Sequence, residues 1–569
     1  MIYLEPARPK HLCKSRCRRY CKILILAFVL LTSGTGHVAA QNGPSQGSRT
    51  IRGLVVNSVT REPISRALVF SSDNRFAVLT DSQGNFELSI ASPAEASSSP
   101  GGFGAGAANF AFYASLRARK PGFLNDQSAR DISSAEPAKE VVLELVPEAL
   151  ITGKVVLPSS EPPDSIDLVL YRRQAQNGRG HWVFAGVVHS RSSGEFRFAE
   201  LAAGTYKLFS RESLDRDPLT TVPGGPLYGY PPVYFPGARD FATASEIHVA
   251  AGTTFHADLK LTRQRYYNVK VPVKSDTPTG SVNVAVLAQG RPGPGFELGY
   301  VYEDSAIEGM LPNGNYTLEV ANLLPPPASG SVTITIHDGP ANGTPVVLAQ
   351  PRPIEVRVKE EFTGPDTTNV SSTWLVSGRT FTLEGPRKYL GVSISTADGV
   401  SVGDAGSIRP PTRSGSEPLL LDIPQPGRYW VSLYPRRGYV ASARSGDVDL
   451  LREPLVVGAG GATPPIEVTM RDDFAQLEGT VEGKKAAIYC LPLPDSAGQF
   501  MESSSSDGTF GIASLAPGTY RILAFKNPRP ELEYHNPDAM RDYESKAELV
   551  QLAAGQKAHV HLQVLSENE

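Results

Sequence analysis

The sequence predicts an all-β protein made of about five tandem antiparallel β-sandwich domains of an immunoglobulin-like kind. The chain of 569 residues holds 53 Gly and 47 Pro, a composition that favours short strands joined by turns. A Gly-x-Tyr turn signature then recurs at Gly204, Gly314, Gly427 and Gly518. Its spacings of 110, 113 and 91 residues match independent domains and exceed a solenoid repeat.

The N-terminus has the pattern of a secretory signal peptide. Seven Lys and Arg residues precede an apolar run of nine residues at 23–31, and small residues lead to Gln41. Nine residues are too few to span a bilayer, which needs about 20. We therefore predict cleavage between Ala40 and Gln41, an extracytoplasmic location and no membrane span after cleavage. An uncleaved anchor is the alternative.

Charge and cysteine content narrow the possible partners. Removal of residues 1–40 takes away seven basic residues and one acidic residue, so the formal net charge moves from −3 to −9. This acidic balance argues against nucleic acid and anionic membrane surfaces as partners. Cys490 is the one cysteine of four that remains, so no internal disulfide is expected.

Recurring strand and turn patterns divide the rest of the chain into domains. Each domain opens with an alternating apolar strand, and the Tyr of each Gly-x-Tyr turn is predicted to pack between sheets with its hydroxyl on a loop backbone. The predicted boundaries are a signal peptide at 1–40, a linker at 41–49 and β-sandwiches at 50–148, 149–263, 264–351, 352–472 and 473–569.

The fifth domain carries the fullest motif set. Gly479-Thr480-Val481 is followed by a turn with Phe510 and by Leu515-Ala516-Pro517-Gly518-Thr519-Tyr520. This set resembles the carboxypeptidase regulatory-like domain. The first two domains match well, the third and fourth keep only the second turn, and the first lacks that turn. The resemblance implies a transthyretin-like sandwich, grouped with carbohydrate-binding-like folds, in a secreted bacterial tandem-repeat protein.

A proline-rich loop at residues 215–240 is the best candidate for ligand contact. Exposed aromatic faces can stack on sugar rings, and four aromatic residues lie in this loop: Tyr228, Tyr230, Tyr234 and Phe235. The alternative is that these rings clamp the loop against its own domain. The three tryptophans lie in strand-like contexts and are predicted to be core residues: Trp182, Trp374 and Trp430.

Candidate metal sites are weak. His559 and His561 alternate on the last strand, and His248 and His256 flank a turn, but neither pair has a third ligand nearby. None of the ten histidines is followed by Glu three positions later, so the His-x-x-Glu ligand pair of zinc carboxypeptidases is missing. We predict no cofactor, no metal and no catalytic residue.

These observations together favour a non-enzymatic secreted or envelope-associated protein that acts as a binding module or scaffold. Its partner would be a polysaccharide or an envelope protein, and the sequence leaves the oligomeric state open. Carbohydrate binding is the second hypothesis. A remote third is an accessory protein of a hydrolase, or an uncharacterised hydrolase. Motifs of this kind specify a fold far better than a function.

Overall fold

The computed structural model describes most of the chain beyond Ser48. The described residues are 48–71, 74–91, 114–124, 130–132, 140–157, 165–215, 225–276, 282–288, 295–322, 328–350, 352–365, 373–376, 378–397, 406–423, 425–458 and 463–565. The predicted signal peptide, its cleavage site at Ala40 and Gln41, and most of the predicted linker lie outside these ranges. The first strand already begins at Ser48, inside the predicted linker.

The described chain is almost entirely β-structure. It contains 45 strands, two four-residue helices and one short 3-10 helix. The strands form eleven sheets with mainly antiparallel pairing, which confirms the predicted fold class. None of the helices in these ranges is long and apolar enough to cross a membrane.

Sandwich 1 contains the first seven strands. They are β1 Ser48–Asn57, β2 Leu68–Ser71, β3 Ala77–Leu79, β4 Asn85–Ala91, β5 Ala114–Arg119, β6 Arg130–Ile132 and β7 Val141–Leu145. Sheet β4-β1-β7 faces sheet β3-β2-β5-β6. Val55, Val69, Leu116 and Leu143 are almost fully buried between them.

Sandwich 2 is larger, and two of the strands in its chain segment extend a sheet of the next sandwich. The strands are β8 Ala149–Val156, β9 Asp167–Gln176, β10 Arg179–His189, β11 Glu195–Leu201, β12 Gly204–Ser210, β13 Ser213–Leu214, β14 Leu227–Tyr230, β15 Val233–Tyr234, β16 Ile247–Val249, β17 Thr254–His256 and β18 Leu259–Lys260. One sheet is β11-β8-β17 with β18, and the other is β10-β9-β12-β15 with β16. Strands β13 and β14 leave this sandwich and extend a sheet of the next one.

Sandwich 3 is built on one long strand that alternates buried and exposed residues. Its strands are β19 Gln264–Ser275, β20 Val282–Ala288, β21 Gly299–Val301, β22 Ala306–Pro312, β23 Gly314–Asn322, β24 Ala328–Ile336, β25 Ala341–Asn342 and β26 Val346–Leu348. The larger sheet has the order β13-β14-β19-β22-β21, with β25 and β26 also on β19, and the smaller one is β20-β23-β24.

Sandwich 4 has a six-stranded sheet, a three-stranded sheet and a separate hairpin. Its elements are β27 Ile354–Glu361, β28 Thr373–Val376, β29 Arg379–Thr382, α1 Pro386–Tyr389, β30 Leu390–Thr396, β31 Ser407–Ile408, β32 Leu419–Asp422, β33 Gly427–Pro435, β34 Tyr439–Ser445, β35 Val448–Asp449, β36 Leu455–Val457 and β37 Ile466–Arg471. The three-stranded sheet, β30-β33-β36, matters most for the site described below.

Sandwich 5 closes the described chain. Its elements are β38 Ala475–Val481, β39 Ala486–Pro492, β40 Met501–Ser505, β41 Thr509–Leu515, β42 Gly518–Phe525, α2 Pro537–Met540, a 3-10 helix Arg541–Lys546, β43 Glu548–Leu552, β44 Lys557–Leu562 and β45 Val564–Leu565. Sheet β41-β38-β44 faces sheet β40-β39-β42-β43, and β45 also pairs with β42. Cys490 is a free, buried thiol in the core of this sandwich.

One topology recurs in all five sandwiches. The opening strand lies inside its sheet, antiparallel to one neighbour and parallel to a strand near the end of the same segment. The parallel pairs are β1 with β7, β8 with β17, β19 with β26, β27 with β37, and β38 with β44. Parallel strands require a long crossover connection, and in each sandwich the intervening strands of the same segment supply it.

The glycine of the opening strand is explained by close packing in sandwiches 1, 2 and 5. In sandwich 5, Gly479 lies opposite Phe510 on the antiparallel neighbour. A Cβ at Gly479 would lie 2.5 Å from the Val560 carbonyl oxygen and 2.5 Å from the Phe510 ring. The same glycine–phenylalanine pairing occurs at Gly53 and Gly153, so the two motif positions act as one packing unit.

The four tyrosines of the Gly-x-Tyr turns behave as predicted. Each ring is almost fully buried, and each hydroxyl donates to the backbone carbonyl four residues earlier. The four donor–acceptor distances are 2.7, 3.0, 2.7 and 2.6 Å for Tyr206, Tyr316, Tyr429 and Tyr520. The hydrogen bond ties the turn to the core, so this recurring motif is structural.

Candidate functional site

The aromatic loop of sandwich 2 does not form one exposed platform. Tyr234 is only 4% exposed, which corrects the expectation that its ring faces solvent. It lies in a cluster on the outer face of the β9-β12 sheet, with its ring centroid 5.2 Å from that of Phe209. Desolvation raises the pKa of Tyr234 above its usual value, as expected for a buried phenol.

The other three rings of this loop also contact protein. Phe235 packs edge to face on Phe255 at 6.0 Å, and Tyr230 is half-buried against the core of sandwich 2. Tyr228 lies under the guanidinium of Arg263, whose Cζ is 4.5 Å from the ring centroid. Tyr230, Tyr234 and Phe235 pack against sandwich 2 itself, as in the alternative in which the rings clamp the loop against its own domain. A ligand role for the residues of this loop, Tyr228, Tyr230, Tyr234 and Phe235, stays a prediction.

The loop also joins two sandwiches through the backbone. Its strand β14 pairs antiparallel with β19, from Leu227 opposite Tyr266 to Gly229 opposite Gln264. The residues before it, Ser213 and Leu214, form β13 on the outer side of β14. Sandwich 2 therefore contributes two strands to a sheet of sandwich 3, which links the two units by hydrogen bonds as well as by the chain.

A cavity of about 630 Å³ lies beside this junction and has an acidic lining. Glu212 accepts a hydrogen bond from the Glu297 backbone N–H at 2.7 Å, and its other carboxylate oxygen is buried without a partner. Desolvation raises the pKa of Glu212 to about 7. Asp167 and Glu308 line the same cavity.

A long connection in sandwich 5 contacts residues as far as 360 positions away in the described chain. Residues 526–547, here called the clasp segment, connect β42 to β43 and include α2. Met540 of this segment packs into a cluster on the outer face of sandwich 5 with Tyr489, Leu523 and Phe525. This packing anchors one side of the clasp segment to its own sandwich.

The other side of the clasp segment binds sandwich 2 through a forked ion pair. The Arg173 Nε and Nη2 donate to the two carboxylate oxygens of Glu533 at 2.5 and 2.7 Å. Arg173 also contacts Glu246 at 3.2 Å. The Glu533 side chain is 13% exposed, and paired guanidinium–carboxylate forks are among the stronger polar contacts in proteins.

The tip of the β9–β10 hairpin completes this contact. Asn177 and Gly178 both have positive φ, 50° and 70°, as a two-residue type I′ turn requires. The Gly178 carbonyl accepts from the His535 backbone N–H at 3.0 Å. A Cβ at Gly178 would lie 2.4 Å from the Tyr534 ring, so only glycine permits this approach.

Sandwich 4 supplies the third wall through the outer face of sheet β30-β33-β36. The Arg179 Cζ lies 3.8 Å from the centroid of a Trp430 ring, and the Asn177 amide donates to the Ser432 hydroxyl at 3.3 Å. Sandwich 5 reaches the same face, where the Gln499 amide donates to the Leu433 carbonyl. Sandwiches 2, 4 and 5 therefore meet at one place.

A cleft of about 190 Å³ remains where the three sandwiches meet. Its lining combines aromatic rings with a cation and polar groups, chiefly Arg179, Trp430, Tyr434, Phe500, Tyr534 and His535. Phe500 and Tyr534 stack on each other with centroids 4.7 Å apart. Tyr434 is 48% exposed, and its hydroxyl lies 3.2 Å from that of Ser393.

The prediction that Trp430 is a core residue is wrong. Tyr429 points into the core, so its neighbour on the same strand must point outward. The equivalent positions in the other sandwiches are Lys207, Thr317 and Arg521. The alternation of inward and outward side chains along this strand was therefore a sequence signal that Trp430 faces outward. The strand-like context alone did not reveal it. Trp182 is buried in the outer cluster of sandwich 2, and Trp374 is partly exposed on the β28–β29 hairpin.

The histidines of the two candidate pairs contact side chains beside them in the fold. His561 lies 2.8 Å from the Thr480 hydroxyl and His248 lies 3.0 Å from that of Thr205. His256 contacts Asp258 at 3.0 Å. Within the described ranges, no group of three or more His, Cys, Asp or Glu residues has a geometry that could hold a metal ion.

No family model and no curated protein matches this chain, so the resemblance to the carboxypeptidase regulatory-like family stays a prediction. Some solved structures match. The TIE protein of Bacillus anthracis aligns over 92% of this chain and 76% of its own, at 8% identity and a TM-score of 0.16. GBS52, the minor pilin of Streptococcus agalactiae, aligns over 38% of this chain and 96% of its own, at 14% identity and a TM-score of 0.17. BcpA, the major pilin subunit of Bacillus cereus, aligns over 73% of this chain and 99% of its own, at 11% identity and a TM-score of 0.12. Scores this low carry no argument about function.

Proposed function

We propose that this protein is a non-enzymatic extracytoplasmic scaffold that binds another component of the bacterial envelope. The observation that carries the proposal is the contact of sandwiches 2, 4 and 5 around one cleft. The Arg173–Glu533 pair joins residues 360 positions apart, so the chain folds back on itself. Tandem domains otherwise move relative to one another by default.

Contacts between neighbouring sandwiches support a fixed arrangement. Strand β14 continues the sheet of sandwich 3, and the Arg452 Nε of sandwich 4 donates to the Pro494 carbonyl of sandwich 5 at 2.9 Å. Backbone pairing and the part-buried Arg173–Glu533 pair hold one geometry more firmly than exposed side-chain contacts such as that of Arg452. A binding surface assembled from three sandwiches needs such a geometry, because its walls come from separate domains.

The location and the bacterial source rest on the sequence. The basic and apolar segments before Gln41 support export, and the motif resemblance supports a bacterial envelope protein. The non-enzymatic part of the proposal rests on the polar groups where sandwiches 2, 4 and 5 meet. These groups, Arg173, Glu533 and Gln499, are already engaged with other parts of the chain, as expected for groups that position domains.

Co-sedimentation with isolated bacterial envelope fragments tests this proposal. We expect residues 41–569 to pellet with the fragments, and Tyr434→Ala to reduce the bound fraction because this ring is the most exposed aromatic of the cleft. The control is Tyr302→Ala, since Tyr302 is 55% exposed on sandwich 3, outside the cleft. Failure of the unmodified protein to pellet would refute binding. Release of soluble sugars or peptides from the fragments would refute the non-enzymatic role.

A further inference from the structure

The cleft between sandwiches 2, 4 and 5 contains a cation that has no carboxylate partner. Arg179 begins strand β10 and is half-buried, and its guanidinium stacks on Trp430 at 3.8 Å. In the part of the chain that the structure describes, it forms no ion pair. Glu533, which is one residue before Tyr534 of the cleft lining, is held by Arg173.

The burial of Arg179 is unfavourable as it stands. Desolvation lowers its pKa, and the one opposing contribution comes from Tyr534 rather than from a carboxylate. Stacking on an indole recovers part of the lost hydration, but a guanidinium retains five N–H donors that require acceptors. A planar anion such as a carboxylate would accept two of them at once.

The surroundings of Arg179 are suited to a sugar ring. Tyr434 presents an exposed aromatic face that can cover the apolar C–H side of a pyranose. Asn177, Ser432 and Gln499 line the same cleft. The amide nitrogens of Asn177 and Gln499 already donate within the chain, so the amide oxygens and the Ser432 O–H are the groups offered to sugar hydroxyls. The volume of about 190 Å³ is below the roughly 300–1,000 Å³ of pockets for drug-sized ligands, which suits one monosaccharide unit.

We propose that this cleft binds a uronate residue of an acidic polysaccharide, with Arg179 taking the carboxylate and Tyr434 the face of the ring. The inference rests on the proposed binding function and names its ligand class. It places sugar recognition at the junction of three sandwiches rather than in the loop around Tyr228. The ligand would also offset the unpaired charge, so it would strengthen the contact between sandwiches 2 and 4.

Isothermal titration of residues 41–569 with trigalacturonate tests the proposal, with neutral galactotriose and a tripeptide of glutamate as the comparison probes. We expect trigalacturonate to bind at least about tenfold more tightly than either, because the paired charge and the ring face both contribute. Arg179→Gln should weaken trigalacturonate binding about tenfold or more. Arg191→Gln is the control, since Arg191 is exposed on the turn after the same strand.

Three results would overturn the inference: equal binding of the neutral sugar, preference for the acidic peptide, or unchanged binding in Arg179→Gln. The sugar comparison uses the unmodified protein, so it decides the question even if the variant misfolds. The proposed function is tested separately. If trigalacturonate does not bind but the protein still pellets with envelope fragments in a Tyr434-dependent manner, the ligand class is wrong and the binding function stands.

Discussion

Single residues explain why the same turn recurs along this chain. The tyrosine hydroxyl that bonds back over four residues closes a turn whose carbonyl would otherwise be buried without a donor. In sandwich 5, Tyr520 is fully buried and its hydroxyl lies 2.6 Å from the Ala516 oxygen. A buried carbonyl that loses its donor costs about 1–3 kcal/mol, which gives this residue a measurable role in stability.

Tyr520→Phe is expected to destabilise sandwich 5 by about 1–2 kcal/mol, because the Ala516 carbonyl loses its donor while the ring stays in place. Cys490 provides a local measurement. It is buried in the same core, and desolvation raises the pKa of its thiol to about 12, so it should react with a thiol reagent only when this sandwich opens. The urea concentration at which it becomes reactive should fall.

Tyr429→Phe in sandwich 4 serves as the control for that experiment. It removes the same kind of hydrogen bond, 2.7 Å long, from another core. It should leave the protection of Cys490 unchanged. An equal loss of protection in both variants would contradict local action of the hydrogen bond.

The sequence identified the aromatic residues of interest more reliably than it predicted which face of a sheet each one occupies. The inward orientation of the four tyrosines follows from their motif. Tyr234 and Trp430 show the limit, because aromatic residues occur on both faces of these sheets. Tyr234 is buried on an outer face that the loop itself covers, and Trp430 faces a cleft formed by other sandwiches. Neither environment exists within the strand that carries the residue.

At the scale of elements, the opening strand of each sandwich joins the early and late strands of its sheet. It pairs with an early strand and with a late one, so its side chains must accommodate both. In sandwich 5 a glycine at position 479 leaves room for the Phe510 ring and the parallel strand β44. On β41, by contrast, no atom lies within 4 Å of a Cβ built at Gly511.

This contrast gives a matched pair of substitutions in one sheet. Gly479→Ala should destabilise sandwich 5 by about 1–3 kcal/mol, since the added methyl displaces a ring and a backbone carbonyl. Gly511→Ala should be neutral, or stabilising by up to about 1 kcal/mol through the unfolded chain. Urea-dependent reactivity of Cys490 reports both. Similar losses in the two variants would show that the cost is general to glycine in these strands.

The junction of sandwiches 2 and 3 is expected to depend on pH through Glu212. Its folded pKa, about 7, lies above the value of about 4.3 for an unfolded chain. The folded state therefore holds more protons between these values, and stability falls as pH rises from about 4.3 to 7. The slope for one group cannot exceed about 1.4 kcal/mol per pH unit, and partial exposure reduces it.

Thermal melting at pH 5 and pH 8 tests the role of Glu212. Glu212→Gln keeps the hydrogen-bonding shape without the charge, so the melting temperatures at the two pH values should draw closer together than in the unmodified protein. Glu303→Gln is the control, because Glu303 is exposed on sandwich 3. A pH dependence that is the same in all three proteins would exclude Glu212 as its source.

At the scale of the whole molecule, the sequence predicted the all-β fold class better than the contacts between sandwiches. Turn signatures and alternating strands are local, so one sequence suffices to recognise them. The contact between sandwiches 2 and 5 depends on Arg173 and Glu533, which are 360 positions apart. Each looks like an ordinary surface charge on its own strand or loop, and no local pattern marks them as partners.

The distance between sandwiches 2 and 5 tests the central claim most directly. Spin labels at Ser192→Cys and Ser506→Cys would sit on exposed turns of the two sandwiches, while the buried Cys490 should stay unlabelled in the folded protein. Pulsed electron paramagnetic resonance should give one narrow distance distribution, which broadens when Glu533→Ala removes the fork to Arg173. A broad distribution in the protein with Glu533 intact, unchanged by the substitution, would contradict the fixed scaffold.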